Sequence, residues 1–129
     1  MNIPNDLRYT KEHEWVHVEE GVAVVGITDF AQSELGDIVY VELPGVGSTV
    51  STGETFGNVE SVKSVSDLYS PLAGTVADIN TRLSDSPELL NTDPYAEGWL
   101  IRIEAQDLGE VEQLLTAAEY ADYIGAETE

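Results

Sequence analysis

The chain carries two lysines and three arginines, and one of them, Lys63, is the only basic residue between Glu12 and Thr81. It lies in Gly57-Asn58-Val59-Glu60-Ser61-Val62-Lys63-Ser64-Val65-Ser66-Asp67, flanked by the acids Glu60 and Asp67 and by valines on both sides. A lysine at a turn between two valine-rich strands presents a solvated amine on a flexible stem, open to a modifying enzyme. It also reads as an ordinary surface lysine, and both readings stay open on these residues alone. His13-Glu14-Trp15-Val16-His17 spells the H-E-x-x-H pattern of zinc proteases. That pattern works only on a helix, where both imidazoles share a face. In a strand they stand about 13 Å apart, and the β-prone Trp-Val-His-Val run argues for a strand. There is no third histidine, so no metal ligand set is assigned. No G-x-S-x-G nucleophile elbow and no phosphate loop occurs. Among 25 acids, no single carboxylate pair is informative for glycoside chemistry.

The elements that must position these residues are mostly short strands separated by turn signals, a mainly-β sandwich or barrel. Strands are expected at 14–18, 22–27, 37–43, 55–62, 65–69, 75–79 and 98–104, with a shorter one around Thr49-Val50. In 98–104, Trp99, Ile101 and Ile103 alternate with Leu100, Arg102 and Glu104, and the two charged residues mark the wetter face. Thr28 can cap a short helix from Asp29 to Leu35, ended by Gly36. Ser86-Pro87-Glu88 predicts a short helix through Leu90 with Pro87 in its first turn. Asp107 with Glu110 opens a further helix with a Leu108, Val111, Leu114, Leu115 stripe. Thr116 with Glu119 forms a second capping box, with Leu115 and Tyr120 as its staple, in a helix ending near Gly125. Residues 126–129 are expected to fray.

Reflecting the numbering between Lys63 and Ser64 lays Gly53 on Gly74, Phe56 on Pro71, Val59 on Leu68 and Val62 on Val65. Two matched strands then meet at a tip of Lys63-Ser64.

Length and charge set the remaining bounds. The 129 residues suit one domain. The absence of cysteine excludes disulfides, thiolate metal sites and cysteine nucleophiles. A formal net charge of -20 disfavours nucleic acid and anionic membranes as partners, and favours basic protein surfaces. The same charge also serves solubility alone. No stretch reaches the ~20 apolar residues of a membrane helix, and the N-terminus lacks the pattern of a secretion signal. The cytoplasm is the expected location.

These residues resemble the glycine cleavage H-protein family of lipoyl carriers. The resemblance runs through Lys11-Glu12-His13-Glu14-Trp15, Val25 to Gln32, Leu35 to Val39, Val41 to Pro44, Val59 to Lys63, Ser70-Pro71, and Ser86 to Asn91 on to Trp99. It implies a barrel-sandwich hybrid of the lipoyl-domain type, with two antiparallel sheets, a short helix after the second strand and C-terminal helices. It also implies a single lipoyl-carrier domain over 1–129, with a β core of about 14–104 and helices of about 107–125. Lipoic acid would be amide-linked to Lys63, and Glu60 would be read by the lipoate ligase or lipoyl/octanoyl transferase. Glu14 and Asp67 would line the cleft of the loaded arm, where a carboxylate suits a protonated aminomethyl group. Glu12 and Glu34 stand where relatives can have serine and histidine, and Phe30 reads as packing.

The implied function is carriage, not catalysis. The aminomethyl group passes from glycine decarboxylase (P-protein) to a tetrahydrofolate-dependent aminomethyltransferase (T-protein). Dihydrolipoyl dehydrogenase (L-protein) then reoxidises the arm. The alternatives are a lipoate-relay donor to other complexes, or an unmodified β-sandwich binding module.

Overall fold

The computed structural model describes residues 2–127. Nine strands form two antiparallel sheets. In chain order they are β1 (Arg8–Tyr9), β2 (Glu14–Glu19), β3 (Val22–Ile27), β4 (Ile38–Glu42), β5 (Thr49–Val50), β6 (Thr55–Ser61), β7 (Val65–Tyr69), β8 (Gly74–Ile79) and β9 (Ile101–Ala105). The larger sheet runs β1-β2-β3-β9-β8-β5 and the smaller β4-β6-β7. Three helices decorate them: α1 (Asp29–Leu35), α2 (Leu89–Thr92) and α3 (Ala117–Glu127). Short 3-10 turns cover Thr81–Ser84 and Leu108–Gln113.

β2 and β3 are rich in β-branched residues. They join through Glu20 and Gly21, both left-handed at φ 51° and 81°, as a two-residue hairpin turn of the I′ kind requires. The first three residues of β2, Glu14, Trp15 and Val16, are buried, so this half of the strand is covered on both faces. Val16 belongs to the central cluster between the sheets, with Val25, Ile38, Val59, Leu68 and Ile103. Its neighbour Trp15 points the other way, into a second cluster with Leu7, Tyr9, Phe30, Tyr120 and Ile124. There Tyr9 and Tyr120 stack at 4.7 Å. The second cluster fixes α3 and the N-terminal segment onto the outside of the larger sheet.

Several boundaries differ from expectation, each for a local reason. β1 is not legible in the sequence; it exists because Arg8 and Tyr9 pair with Val16 and Trp15. The last strand begins at Ile101, not Gly98. Leu100 is fully buried in the central core, and Trp99 packs under the Arg102 guanidinium, 4.3 Å from its ring centroid. The alternation therefore holds only from Ile101 onward. α2 starts at Leu89. Ser86 gives no side-chain cap, and its carbonyl accepts the Leu89 N–H at 3.1 Å, which makes a turn where a helix was expected.

Residues 108–113 wind as a 3-10 turn, so the expected stripe divides. Val111 and Leu114 join the central core, Leu115 joins the second cluster, and Leu108 stays exposed. Asp107 caps the Gly109 N–H at 2.9 Å, but the Glu110 carboxylate accepts from Thr52 Oγ1 instead of closing a box. The second box forms in full. Thr116 N–H donates to Glu119 Oε1 at 2.9 Å and Glu119 N–H to Thr116 Oγ1 at 3.2 Å. Those bonds hold the Glu119 carboxyl below its ordinary pKa. α3 continues to Glu127; of the segment expected to fray, residues 128–129 lie outside the described residues.

Candidate functional site

β6 and β7 form the hairpin that carries Lys63, but its register is not the reflected one. Glu60 pairs with Val65, Val59 with Ser66 and Asn58 with Asp67, which centres the turn between Val62 and Lys63. The reflection matched residue types, whereas the turn is closed by a side chain. Ser61 is buried, at 6% exposure. Its Oγ accepts the Lys63 and Ser64 N–H groups at 3.1 Å each and donates to Ser64 O at 3.2 Å. The Ser61 N–H also donates to Ser64 O, at 2.8 Å. One hydroxyl thus does locally what a carbonyl does in an ordinary tight turn. Composition alone offers no reason to choose Ser61 over the chain's other serines.

The tip is braced from the α1–β4 connection. Val62 N–H donates to Asp37 O at 3.1 Å. Asn91 holds that connection on either side. Its Oδ1 accepts the Ile38 N–H at 2.9 Å, and its Nδ2 donates to Gly36 O at 2.8 Å. Lys63 itself is exposed. Its stem passes Gly36, where a side-chain methyl would stand 3.2 Å from Cε, and Gly36 sits at φ 79°, a conformation that favours glycine. Lys63 Nζ donates to the carbonyl of Glu34 at 3.2 Å, at the C-terminal end of α1. A cation there meets the negative end of the helix dipole, and α1 has no basic residue of its own in its last turn. The other basic residues are tied to the scaffold. Arg8 binds the carbonyls of Glu112 and Leu114, Lys11 lies over the Tyr123 ring, Arg82 pairs with Glu97, and Arg102 covers Trp99.

α1 forms because Thr28 caps it, with Oγ1 accepting the Ala31 N–H at 3.2 Å. Beside α1 runs a groove of about 550 Å³ lined by Glu12, His13, Phe30, Ala31, Glu34, Leu35 and Ser66. Its lining joins the apolar side chains of Phe30, Ala31 and Leu35 to the two carboxylate residues Glu12 and Glu34. Glu34 also supplies the carbonyl that Lys63 reaches, so the tip and the groove share a wall. His13 is held in the left-handed region at φ 69°. Its carbonyl takes the Thr28 N–H at 3.0 Å. His13 Nδ1 lies 2.8 Å from Tyr120 Oη, which lies 2.7 Å from Thr28 Oγ1. Phe30 is buried and its ring lies 4.8 Å from that of His13, so it packs and also lines the groove.

The expected site residues separate into distinct surroundings. Glu60 is exposed on the outer face of the smaller sheet, opposite Tyr40 and Val65. Asp67 is also exposed there, opposite Asn58, and is not among the groove's lining residues; its neighbour Ser66 is. Glu14 is 2% exposed, next in chain to His13. Its Oε1 accepts from Thr10 Oγ1 at 2.7 Å and its Oε2 from the Tyr69 N–H at 3.3 Å. It thereby ties β2 in one sheet to β7 in the other. Burial raises its pKa to about 8, although both hydrogen bonds oppose the shift. The helix that H-E-x-x-H requires is not formed: His17 lies in β2 opposite Val24, and His13 precedes the strand.

Residues 7–127 match the family model described as Glycine cleavage H-protein. The chain is 59% identical over 124 residues to the Glycine cleavage system H protein of Geobacillus thermodenitrificans, covering 96% of this chain and 98% of that one. It is 58% identical over 122 residues to the protein of that name from Bacillus cytotoxicus, covering 95% and 96%. Its structure resembles the crystal structure of a glycine cleavage system H protein from Mycobacterium marinum, with a TM-score of 0.88 at 46% identity, over 95% of this chain and 99% of that one.

Proposed function

The chain belongs to the glycine cleavage H-protein family, and from that premise we propose that Lys63 is its point of lipoyl attachment and that residues 1–129 act as a single lipoyl-carrier domain. The chain is a carrier of the glycine cleavage system, not an enzyme. It takes the aminomethyl group from glycine decarboxylation toward tetrahydrofolate and works with the other components of that system.

The observation that carries the Lys63 assignment is the exposed amine at a braced hairpin tip, on the rim of a groove suited to the arm. Lipoate supplies a strained disulfide that can accept a one-carbon amine and a dithiol that can be reoxidised. The residues beside Lys63 fit such a group. Phe30, Ala31 and Leu35 offer an apolar bed for a hydrocarbon chain, and Glu12 and Glu34 offer carboxylates to a cationic end. Ser61 and Asn91 fix where the stem starts. The tether raises the effective concentration of the cargo at each partner site.

Glu60 is proposed as the acid read during attachment by a lipoate ligase or a lipoyl/octanoyl transferase. Glu14 and Asp67, neighbours of the groove-lining His13 and Ser66, are proposed to hold the loaded arm. A cation brought to Glu14 would favour its ionised form, against the burial that favours the protonated one. The proposed partners are glycine decarboxylase, the aminomethyltransferase and dihydrolipoyl dehydrogenase. Among the described residues no helix is long and apolar enough to cross a membrane, and the cytoplasm is the proposed location.

The test is the mass of the peptide spanning Lys63 after incubation with lipoate and its ligase, together with a reconstituted glycine cleavage assay. The expected result is one lipoyl group on Lys63, and loss of carriage in Lys63→Arg with the fold intact. Full activity of Lys63→Arg would overturn the assignment.

A further inference from the structure

Thr10 follows β1 and organises the residues that lead into β2. Its backbone N–H donates to Glu14 O at 2.9 Å, and its carbonyl accepts the His13 N–H at 3.1 Å. Its hydroxyl oxygen accepts the Glu12 N–H at 3.2 Å and the Glu14 N–H at 3.1 Å. The same hydroxyl donates to Glu14 Oε1 at 2.7 Å. A hydroxyl has two acceptor lone pairs and one proton. The two N–H groups occupy the lone pairs, so the direction of the third bond is fixed: Thr10 donates and Glu14 receives. The other carboxyl oxygen, Oε2, receives the Tyr69 N–H at 3.3 Å. Both oxygens of a residue that is 2% exposed are therefore met by donors, an arrangement that favours the ionised carboxyl. The Thr10 bonds also hold His13 at φ 69°, a conformation that costs a non-glycine residue free energy.

We propose that Thr10 is a positioning residue for the cationic cargo: its hydroxyl presets the Glu14 carboxyl as an acceptor, and its bonds to Glu12 and His13 set the groove wall beside it. The inference rests on the reading of Glu14 as a holder of the loaded arm and adds the residue that prepares it. The surroundings of Glu14 leave this task to the hydroxyl. Burial opposes its ionisation, and so does Glu12 on the same loop. β3 sets Ile27 opposite Glu14, and β7 reaches it with a backbone N–H. α1 brings Glu34, a further acid, to the groove that Glu12 and His13 line. Among the described residues Thr10 supplies the side-chain hydrogen bond that favours the charge. Each carboxylate oxygen accepts at two sites, so Oε1 can take an ammonium proton while keeping the Thr10 bond.

The experiment uses the full-length unmodified chain and follows Glu14 across pH by NMR of its carboxyl carbon, identified as the signal that Glu14→Gln removes. Thr10→Val removes the donor at similar volume, and Thr10→Ser keeps it. The expected result is a Glu14 midpoint about one pH unit higher in Thr10→Val, about a tenfold gain in proton affinity, with Thr10→Ser at the wild-type value. A role in packing alone would not make the midpoint follow the hydroxyl. After lipoylation and loading by glycine decarboxylase, Thr10→Val should lose the aminomethyl adduct several times faster than wild type and Thr10→Ser. The wild-type protein supplies a check that needs no variant to fold: the Thr10 hydroxyl proton should give an exchange-protected signal whose shift follows the Glu14 titration. An unmoved midpoint in Thr10→Val overturns the proposal, and so does a Thr10 hydroxyl signal indifferent to Glu14. An adduct lifetime unchanged in Glu14→Gln would sink the reading of Glu14 itself and the Thr10 role with it, and the titration of the unmodified chain tells the two failures apart.

Discussion

Ser61 makes Lys63 a presented residue as well as an exposed one. Its hydroxyl takes two N–H groups of the tip and returns its proton to Ser64 O. Ser61→Ala leaves those donors short of a partner, a cost of about 1–3 kcal/mol, and frees the stem of Lys63. Urea unfolding should show the loss, and ligase kinetics should show slower lipoylation that Ser61→Thr partly restores. Equal rates for all three would remove Ser61 from the presenting machinery. Glu14 invites a test by pH. Its folded pKa of about 8 exceeds the ordinary 4.5, so between those values the folded chain holds a proton that the unfolded chain has lost. The stability linked to that proton is complete below the unfolded pKa and disappears as pH rises through the folded one. Glu14→Gln, neutral throughout, should flatten the fall in urea midpoint from about pH 5 to about pH 9; matching slopes would count against a protonated Glu14. At this scale the isolation of Lys63 among acids singled the residue out, while a role for it was readable only from the family resemblance. The burial of Glu14 was not, because it comes from Thr10 and Tyr69, one close in sequence and the other in the opposite sheet.

α1 shows what a short element can position. Seven residues long, it owes its start to Thr28 and its end to Gly36, and both were readable as a cap and a stop. What could not be read is that Thr28 Oγ1 also meets Tyr120 Oη from α3, and that Asn91 of α2 bolts the segment after it. Thr28→Ala should therefore cost about 2 kcal/mol, the upper end for a lost cap, because it also takes a partner from a buried tyrosine hydroxyl. Thr28→Ser should recover most of it. A melting temperature unmoved by Thr28→Ala would show that α1 is held by packing alone. The 3-10 turn at Leu108–Gln113 is the converse case. Its apolar spacing suited a helix, yet Thr52 draws the Glu110 carboxylate away from the cap. β1 likewise depends on partners distant in sequence, which no local pattern announces.

At the scale of the whole molecule, 25 acids against 5 bases surround a chain whose basic side chains are mostly tied to carbonyls, rings or carboxylates. A field of this sign speeds encounter with basic partners and contributes little once a short-lived complex has formed. The KM of the carrier for glycine decarboxylase should rise steadily as ionic strength grows from about 0.01 M to about 0.15 M, where the screening length falls to about 8 Å. A flat profile would confine the acidity to solubility. Strand spacing pointed to a β sandwich or barrel and the family resemblance to two sheets, but the pairing register of the β6–β7 hairpin was legible from neither, because a buried hydroxyl chose it. The Lys63 amine rests on the last turn of α1 through Glu34 O, and acylation removes its charge, taking the formal net one unit below -20. The helix then loses the ammonium at its C-terminal carbonyl and has no basic residue of its own in the last turn, so deuterium should enter the amides of Leu35 and Gly36 faster in the acylated form. An anion-exchange column would separate the two forms by that single charge.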